Sequence, residues 1–503
     1  MGNSKQPGGI SNFEAATYAA GSLSREASLS CVNLFYLAFL NIYMGLDILV
    51  LTVAFVIIRA LDAFCNPLLA SVINNAPQSR RGRYRPWILM GGLLNGASLV
   101  FMFLPLGGAS VLLRHAYYIL LFLFWSLTCT LQEVPYWAMI PAIAQSGPDR
   151  DKVSALSRFI GGNGGFIITF LGTSVIIPKV APAIGIERAH FVLGIIAAGI
   201  VILFSFSPFV FNKERYELPV HKIKPREIFS LLRSNDQLGA YTLSYLLFLS
   251  AVNTALLQFI YVFIYYGDMG GLGLLSQGLG YMLFLVVSGT GLGLGTMFYP
   301  LIVKKIPGHK IYSMGFFFAA IGMLAMFFIF FFLRDHYGAA GSEAAKWINV
   351  LLISLPAAFF ITPNGLNLVA TTVMAAEITD YNEWKTGRRS DSVIFSIQTM
   401  IMKLSNAVAT LLIGIGIKAA NLPAVTQSIN ASGVFEYSFQ GQAGAAVTFA
   451  ALDILRVFLF LVPVPLCIAG YIVYRRNYWL YGEKYENIKR EAEEKRAKNH
   501  EGE

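Results

Sequence analysis

Apolar runs of about 20 residues recur along the whole chain, and each is long enough to cross the hydrocarbon core of a bilayer as a helix. Of the 503 residues, 56% are hydrophobic and only 13% are charged, and the charges gather in short segments between the apolar runs. A soluble protein of this length would carry far more charge on its surface. The sequence therefore predicts an all-α integral membrane protein.

Hydropathy predicts twelve transmembrane helices. They cover roughly residues 12–42, 46–74, 86–106, 109–144, 152–178, 189–211, 238–266, 275–303, 310–333, 346–380, 390–420 and 446–474. Lys and Arg concentrate in every second connection, as in RRGRYRPW at 80–87 and KKIPGHK at 304–310. Because connections on the cytoplasmic side retain Lys and Arg, both termini are predicted to be cytoplasmic.

A long charged connection, NKERYELPVHKIKPREIFSLLRSND, divides the predicted spans into two sets of six. The predicted organisation is a six-helix half at 1–212, a cytoplasmic linker at 213–237, a second six-helix half at 238–475 and a charged cytoplasmic tail at 476–503. Two halves around a central cavity are the architecture of many secondary transporters. An ATP-driven pump is disfavoured because the sequence shows no soluble nucleotide-binding domain.

The composition also argues against several other classes of protein. The formal charge of +10 is explained by Lys and Arg on the cytoplasmic side of a membrane, so nucleic acid is not a predicted partner. Four cysteines lie in apolar runs without CxxC spacing, which indicates neither disulfides nor a thiolate metal site. The stretch GTGLGLG at 289–295 lies inside an apolar run, where small residues favour close helix packing rather than a nucleotide site.

Charged residues inside the predicted spans are the main functional signal. A charge at the centre of a bilayer costs about 2.5 to 3.5 kcal/mol on insertion scales, so such residues usually face the protein interior or a water-filled cavity. Cations and carboxylates are nearly balanced here, which predicts a mutually paired cluster at the centre of the bundle. The residues are Arg25 and Glu26 in the first span, Arg59 and Asp62 in the second, Glu133 in the fourth, Arg158 in the fifth and Lys403 in the eleventh.

Helical spacing places polar groups on common faces. Carboxylate and hydroxyl oxygens suit a small cation, a buried carboxylate can instead take up a proton, and an indole face beside hydrogen-bonding groups can hold a sugar ring. The plainer interpretation of Arg59 and Asp62 is an intrahelical ion pair that aids assembly. The stripes are Arg59, Asp62 and Asn66; Thr130, Glu133 and Trp137; and Thr399, Lys403 and Asn406.

The pair Asp453 and Arg456 has the same i, i+3 spacing near one end of the twelfth predicted span. Because the membrane interface is close, the predicted interpretation is an ordinary ion pair with the long side chain snorkelling to water.

Four motifs occur in an order that is typical of one transporter family. RALDAFCNP in the second span, RRGRYRPW after it, QEVPYWAMIP in the fourth span and EITDYNEWKTGRR closing the tenth resemble the glycoside, pentoside and hexuronide cation symporters of the major facilitator superfamily. The resemblance runs from about Tyr18 to the end of the eleventh span. It implies the major facilitator fold of two six-helix halves.

The resemblance also implies roles for individual residues. For cation binding or coupling it implies Asp62, Asn66, Thr130, Glu133 and Thr399, with a possible sodium ion at Asp62. For substrate binding it implies Arg25, Glu26, Glu133, Trp137, Arg158 and Lys403. For structural or gating roles it implies Arg59, Asp380 and Arg388.

The chain departs from the family pattern where coupling is decided. Cys65 and Asn66 stand where the best-known member of the family has Asn and Asp. One oxygen ligand is therefore lost, and one carboxylate is replaced by an amide. Sodium coupling, proton coupling through Asp62 or Glu133, and uncoupled facilitation therefore all stay open. Glu26 and Glu133 stand where the family commonly has aspartates, which favours a different or smaller sugar.

The functional prediction is symport of a sugar or glycoside with a proton or sodium ion, by alternating access. The predicted partners are a small-molecule substrate and the lipid bilayer, with no cofactor beyond the coupling cation. The predicted location is a bacterial inner or plasma membrane, and no enzymatic activity is expected. The alternatives are transport of a non-sugar organic solute, an uncoupled facilitator and a transporter-like membrane sensor.

Overall fold

A computed structural model describes residues 10–75, 79–144, 147–215, 233–257, 279–336, 343–386, 391–421, 424–429, 435–440 and 449–501. Nearly all of these residues are helical, and eight helices among them are long and apolar enough to cross a membrane. The fold is therefore the helical membrane architecture that the apolar runs predict.

The structure describes fifteen α-helices. In chain order they are α1 (Asn12–Cys31), α2 (Ile48–Asn75), α3 (Arg85–Met102), α4 (Val111–Ile143), α5 (Gly147–Phe170), α6 (Ile177–Ile184), α7 (Ile186–Phe211), α8 (Asp236–Leu257), α9 (Leu279–Ile302), α10 (Gly308–His336), α11 (Glu343–Thr386), α12 (Asp391–Ala419), α13 (Phe449–Arg456), α14 (Pro463–Asn477) and α15 (Glu483–Glu501). Short π-helical stretches extend α1, join α5 to α6 and join α13 to α14.

Local sequence signals explain where several helices begin. Ser11 caps α1, because its hydroxyl accepts a hydrogen bond from the backbone N–H of Glu14. The Glu14 carboxylate in turn accepts from the backbone N–H of Ser11. Ser110 caps α4 by accepting from the backbone N–H of Leu113 at 3.3 Å. α6 ends at Gly185, whose φ of 90° is readily reached only by glycine.

The described chain divides into two compact units. The first contains Met1–Asp47, Phe64–Ile223 and Ala424–Ser438, and the second contains Ile48–Ala63, Lys224–Pro423 and Phe439–Glu503. The predicted division into halves at 213–237 remains a prediction, and residues 216–232 of that linker lie outside the described residues.

In the first unit, α1 packs against α5 and α7, and α3 packs against α4 and α7. Glycines permit the closest approaches. A methyl group at Gly164 in α5 would clash with the backbone carbonyl of Leu23 in α1, and one at Gly91 in α3 would lie 2.6 Å from the backbone nitrogen of Gln132 in α4. Small residues thus let these helices approach with backbones nearly in contact, as is common in membrane proteins.

In the second unit, α11 packs against α9 and α10, and α8 packs against α12 and α14. Two of the four glycines of GTGLGLG, Gly291 and Gly295, lie on the α9 surface that meets α11. A methyl group at Gly291 would lie 2.7 Å from the Thr362 hydroxyl, and one at Gly295 would clash with the Thr362 carbonyl. The prediction that this stretch packs helices is confirmed.

One feature of the secondary structure is not helical. Ala424–Ile429 (β1) and Phe435–Gln440 (β2) form a two-stranded sheet between α12 and α13. The all-α fold class is confirmed, and this short sheet is an addition in one connection that hydropathy did not predict. The strand sequences AVTQSI and FEYSFQ are rich in the β-branched and aromatic residues that favour strands, but they are too short and polar to register as apolar runs.

Candidate functional site

A cluster of charged side chains lies in the first unit, where α1 and α4 supply its central members. One terminal nitrogen of the Arg25 guanidinium donates to Oε1 of Glu133 at 2.6 Å, and the other donates to Oε1 of Glu26. The side chains of Arg25 and Glu133 are 15% and 14% exposed, and that of Glu26 is 31% exposed. One cation thus holds two carboxylates while all three stay accessible to a ligand.

Trp137 adds an aromatic surface to the same cluster. The guanidinium groups of Arg25 and Arg158 each lie 5.4 Å from the centroid of the Trp137 ring. A cation at this distance from an indole face gains about 0.5 to 2 kcal/mol, depending on how far it is desolvated. The cluster therefore combines two guanidiniums, two carboxylates and an indole, and its formal charges cancel.

Aromatic contacts beside the cluster hold its helices together. Tyr18 in α1 and Tyr136 in α4 stack with ring centroids 4.6 Å apart, and the Tyr136 hydroxyl donates to Ser157 of α5 at 2.9 Å. Both tyrosines are buried. Because Tyr136 precedes Trp137 in the chain, this packing fixes the segment that carries the indole.

A second charged group lies in the second unit. Nζ of Lys403 in α12 is 2.9 Å from Oδ2 of Asp62 in α2, and the two side chains are 11% and 2% exposed. Arg59, one turn before Asp62, is also buried, with 7% exposure. The sequence assigned Lys403 to the substrate, whereas the structure places its ammonium on the proposed coupling carboxylate.

Close packing brings the helices of this ion pair together. A methyl group at Gly414 in α12 would lie 2.5 Å from the hydroxyl of Thr52 in α2. The amide of Asn253 in α8 donates to Ser405 at 3.0 Å and to Asn406 at 2.8 Å, which ties α8 to the same part of α12. Lys403 is therefore held on a helix with neighbours on two sides.

The remaining predicted cation ligands are distributed over both units. Thr130 is 1% exposed in α4, and Thr399 is half-buried in α12. Asn66 lies in α2, and its side chain is outside the described residues. Within the described part of the chain, no group of three or more His, Cys, Asp or Glu side chains could hold a metal ion. The possible sodium ion at Asp62 stays a prediction.

The predicted gating residue Asp380 contacts the C-terminal helix. The Tyr485 hydroxyl of α15 donates to Oδ2 of Asp380 at 3.0 Å, and Nε1 of Trp384 donates to Oε2 of Glu491 at 2.7 Å. Burial and the nearby Asp380 charge raise the pKa of Tyr485 above its ordinary value. These contacts dock α15 on the end of α11, a feature that the sequence did not predict. Arg388 lies outside the described residues.

The pair at the start of the twelfth predicted span is more buried than expected. Arg456 and Asp453 form an ion pair at 2.9 Å, as their spacing predicts. Arg456 is only 4% exposed, and its guanidinium lies 4.7 Å from the centroid of the Phe327 ring. The prediction that this side chain snorkels to water is wrong, because an aromatic ring on α10 covers it.

Sequence reasoning also missed a group of neutral polar residues in the first unit. Gln132, Asn95 and Ser205 are each no more than 2% exposed and are hydrogen bonded across helices. The signal was available, because a glutamine and an asparagine inside apolar runs need internal partners in a membrane.

Residues 17–480 match the model of a family described as MFS/sugar transport protein. Among curated relatives, the chain is 21% identical to a lactose permease of Lactobacillus delbrueckii subsp. bulgaricus, over 96% of the chain and 73% of the permease. It is 21% identical to a raffinose carrier protein of Pediococcus pentosaceus, over 95% and 70% of the two chains. It is 22% identical to an isoprimeverose transporter of Lactiplantibacillus pentosus, over 83% of each.

Solved structures agree with the fold. The xylose transporter XylE from E. coli in an inward open conformation matches with a TM-score of 0.59 and 12% identity, over 95% of this chain and 98% of that one. The nucleoside transporter NupG also matches with a TM-score of 0.59, at 11% identity over 92% and 100% of the chains. At these identities the likeness concerns the fold alone.

Proposed function

Because the chain belongs to the MFS/sugar transport protein family, we propose that it carries a sugar or glycoside across the membrane together with a cation, by alternating access. As a member of this family it is an integral membrane transporter and not an enzyme. The observation that carries the proposal is the cluster of Arg25, Glu26, Glu133, Arg158 and Trp137 in the first unit.

This cluster has the chemistry that a sugar requires. Carboxylates accept hydrogen bonds from sugar hydroxyls, guanidiniums donate to sugar oxygens, and an indole packs against the apolar face of a pyranose or furanose ring. The sugar replaces some of the contacts that Arg25 and Arg158 make with Trp137 and the two carboxylates. Since the cluster is formally neutral, it binds an uncharged sugar without leaving a net charge in the membrane.

The ion pair of Asp62 and Lys403 supplies the coupling step. A proton on Asp62, or a sodium ion beside it with Thr399 of the same unit as a further ligand, takes the place of the Lys403 ammonium. The ammonium and the cation then compete for one carboxylate, so the transporter changes conformation with Asp62 neutralised in one of two ways. Coupling to the sugar follows if the state with the cation on Asp62 is also the state that binds sugar more tightly, which is a coupling free energy between the two sites. Arg59, Asp380 and Arg388 are proposed to act in gating.

The finer features of the fold belong to the same proposal. We propose twelve transmembrane helices in two six-helix halves, with both termini in the cytoplasm. The eight spans among the described residues support this number, since α1, α2, α3 and α9, of 20, 28, 18 and 24 residues, are four further helices in predicted spans and bring the total to twelve. The proposed location is the inner membrane of a bacterium, because one matched relative is an inner membrane symporter of E. coli.

Uptake by the purified protein in sealed vesicles tests the function. Labelled mono- and disaccharides, glycosides and nucleosides are offered under an imposed sodium gradient, an imposed proton gradient or neither. Uphill uptake of a sugar under only one gradient is the expected result and identifies the cation. Equal downhill uptake under all three conditions would indicate an uncoupled facilitator. Uptake of nucleosides alone would show that the substrate is a nucleoside rather than a sugar. Binding without flux would indicate a sensor.

A further inference from the structure

The most completely buried polar group in the first unit is a network of neutral side chains. Gln132 of α4 lies at its centre, and its members come from α1, α3, α4 and α7. Ser24, Ser28, Asn95, Trp125 and Ser205 are each 0% exposed, and Gln132 is 2% exposed. No member carries a formal charge, which distinguishes this network from the charged cluster.

The hydrogen bonds of Gln132 use both ends of its amide. Nε2 donates to Ser24 of α1 and to Ser205 of α7, the latter at 2.9 Å. Oε1 accepts from Nδ2 of Asn95 in α3 at 3.0 Å. The two serine hydroxyls also lie 3.0 Å apart. One side chain thus connects three other helices to α4.

Asn95 extends the network to a second point of contact between α1 and α4. Oδ1 of Asn95 accepts from Ser28 of α1 at 2.7 Å, and the Ser28 hydroxyl accepts from Nε1 of Trp125 in α4 at 2.9 Å. Helices α1 and α4 are therefore linked through Ser24 and again through Ser28, four residues further along α1. Two such links fix both the rotation and the axial position of α1 relative to α4.

The backbone of α3 is shaped to admit the network. A methyl group at Gly92 would clash with the Ser205 hydroxyl and lie 3.3 Å from Nε2 of Gln132. One at Gly91 would lie 2.6 Å from the Gln132 backbone nitrogen. Any larger residue at these positions would push α3 away and break the bonds that Gln132 makes.

The network adjoins the charged cluster in sequence on both helices. Ser24 precedes Arg25 in α1, and Gln132 precedes Glu133 in α4. The hydrogen bond between Ser24 and Gln132 therefore lies one residue from the ion pair between Arg25 and Glu133. Consecutive residues of a helix point about 100° apart, so the neutral pair faces the interior of the unit while the charged pair occupies a neighbouring face.

We propose that Gln132 is a positioning residue for the sugar site: it holds α1 and α4 in the register that lets Arg25 meet Glu133. This inference rests on the proposed function for its link to sugar, but its geometric content concerns the ion pair itself. Because the network is neutral, its bonds persist while Arg25 exchanges a carboxylate for a sugar hydroxyl. The site therefore keeps its shape through binding, which lowers the cost of binding.

A double-mutant cycle tests the geometric content without any substrate. The thermal midpoints of the wild type, Arg25→Gln, Glu133→Gln and the double variant give the coupling between the two charges. The cycle is then repeated in a Gln132→Met background. We expect the coupling between Arg25 and Glu133, measured as the non-additive part of the change in thermal midpoint, to fall by more than half. A merely structural role for Gln132 would lower every midpoint equally and leave the coupling intact, which would overturn the proposal.

Two further variants make the test secure. Ser24→Ala removes the α1 partner of Gln132 with a smaller change, so it serves if Gln132→Met does not fold, and the same loss of coupling is expected. Thr128→Val is the matched control, because the buried Thr128 hydroxyl bonds only the Trp125 carbonyl of its own helix α4 in the described contacts. It should leave the coupling at the wild-type value, and a loss of coupling there as large as in Gln132→Met would count against a specific role for Gln132.

Sugar uptake separates this inference from the proposed function. In Gln132→Met the concentration of sugar at half-maximal downhill uptake should rise about tenfold or more, while the cation dependence stays unchanged. If the wild type moves no sugar, the proposed function fails, and the double-mutant cycle alone decides the role of Gln132. If the wild type moves sugar and Gln132→Met has the wild-type affinity and coupling, the positioning role fails.

Discussion

The charged cluster around Arg25 and the ion pair of Asp62 and Lys403 differ in how they are built. In the first unit, Arg25 bridges Glu26 and Glu133, and these side chains are 14% to 31% exposed. In the second unit, Asp62 and Lys403 satisfy each other, and Asp62 is only 2% exposed. The first group can exchange contacts with a ligand that has several hydroxyls. The second is centred on a buried ion pair, which changes when one charge is replaced or neutralised.

This difference suggests a division of labour, with sugar recognition in the first unit and cation coupling through the second. A half-buried cluster with many partners can adapt to substrate at low cost. A buried pair makes a two-state element, because removing one partner leaves an uncompensated charge in a poorly hydrated site. Variants in each unit should therefore produce different phenotypes.

The largest effect is expected for Asp62→Asn. Uphill accumulation should fall to the downhill level, while exchange of labelled sugar across the membrane continues. Breaking a buried ion pair costs about 3 to 5 kcal/mol, so the variant should also melt at lower temperature. Adding Lys403→Met should restore the melting temperature but not accumulation. Vesicle uptake and thermal melting measure the two effects.

A matched control for Asp62 is available in the same unit. Lys385 and Asp236 form an ion pair at 2.8 Å whose side chains are 38% and 50% exposed. Exposed pairs contribute about 0 to 1 kcal/mol, so Asp236→Asn should leave accumulation nearly unchanged. Full accumulation by Asp62→Asn would contradict the assignment of coupling to the second unit, and equal loss in both variants would show that the loss is not specific to the buried pair.

Arg25→Gln should have the second largest effect and the opposite pattern. Downhill and uphill uptake should fall together, by more than tenfold, because the guanidinium holds two carboxylates and contacts Trp137. The control is Arg215→Gln in the same unit, where the pair with Glu14 is more exposed. Loss of accumulation with normal downhill exchange in Arg25→Gln would place coupling in the first unit and contradict the division.

Trp137→Leu tests the aromatic part of the sugar site. The half-saturating concentration of sugar should rise about tenfold, equivalent to about 1.4 kcal/mol, while the ratio of uphill to downhill uptake stays constant. Trp137→Phe should lie between this variant and the wild type, since a benzene ring keeps part of the stacking surface. An unchanged sugar affinity in Trp137→Leu would show that the indole does not contribute to sugar binding.

The smallest effect is expected for Tyr485→Phe at the docked helix α15. Its lost hydrogen bond to Asp380 contributes about 0.5 to 1.5 kcal/mol, so turnover should change about two- to threefold without a change in sugar affinity. Tyr481→Phe is the control, because the Tyr481 ring stacks on His309 at 4.5 Å and that contact survives the substitution. A change in sugar affinity instead would link α15 to recognition rather than to gating.

Much of the helical fold could be predicted from single runs of sequence. The run at 189–211 corresponds to α7 at Ile186–Phe211, and the run at 310–333 to α10 at Gly308–His336, since length and hydropathy are local properties. The sheet of β1 and β2 could not be predicted in this way. Its strands depend on pairing with each other, and neither is an apolar run.

The candidate site was only partly predictable for the same reason. The composition of the charged group in the first unit follows from the cost of charges in a membrane. Which charges meet does not, because Asp62 and Lys403 are far apart in the chain and are joined by the packing of α2 on α12. Helical spacing indicates only which residues of the same helix are neighbours. It could therefore suggest a pair of Arg59 and Asp62, but not the contact between α2 and α12.

The most direct test of the division of labour is the movement of cations driven by sugar. Sugar is added to vesicles without any ion gradient, and the entry of protons or sodium ions is recorded for the wild type and Asp62→Asn. We expect sugar to draw one kind of cation into wild-type vesicles, and Asp62→Asn to move sugar without that cation. Equal cation entry with both proteins would contradict the assignment of coupling to the Asp62 and Lys403 pair.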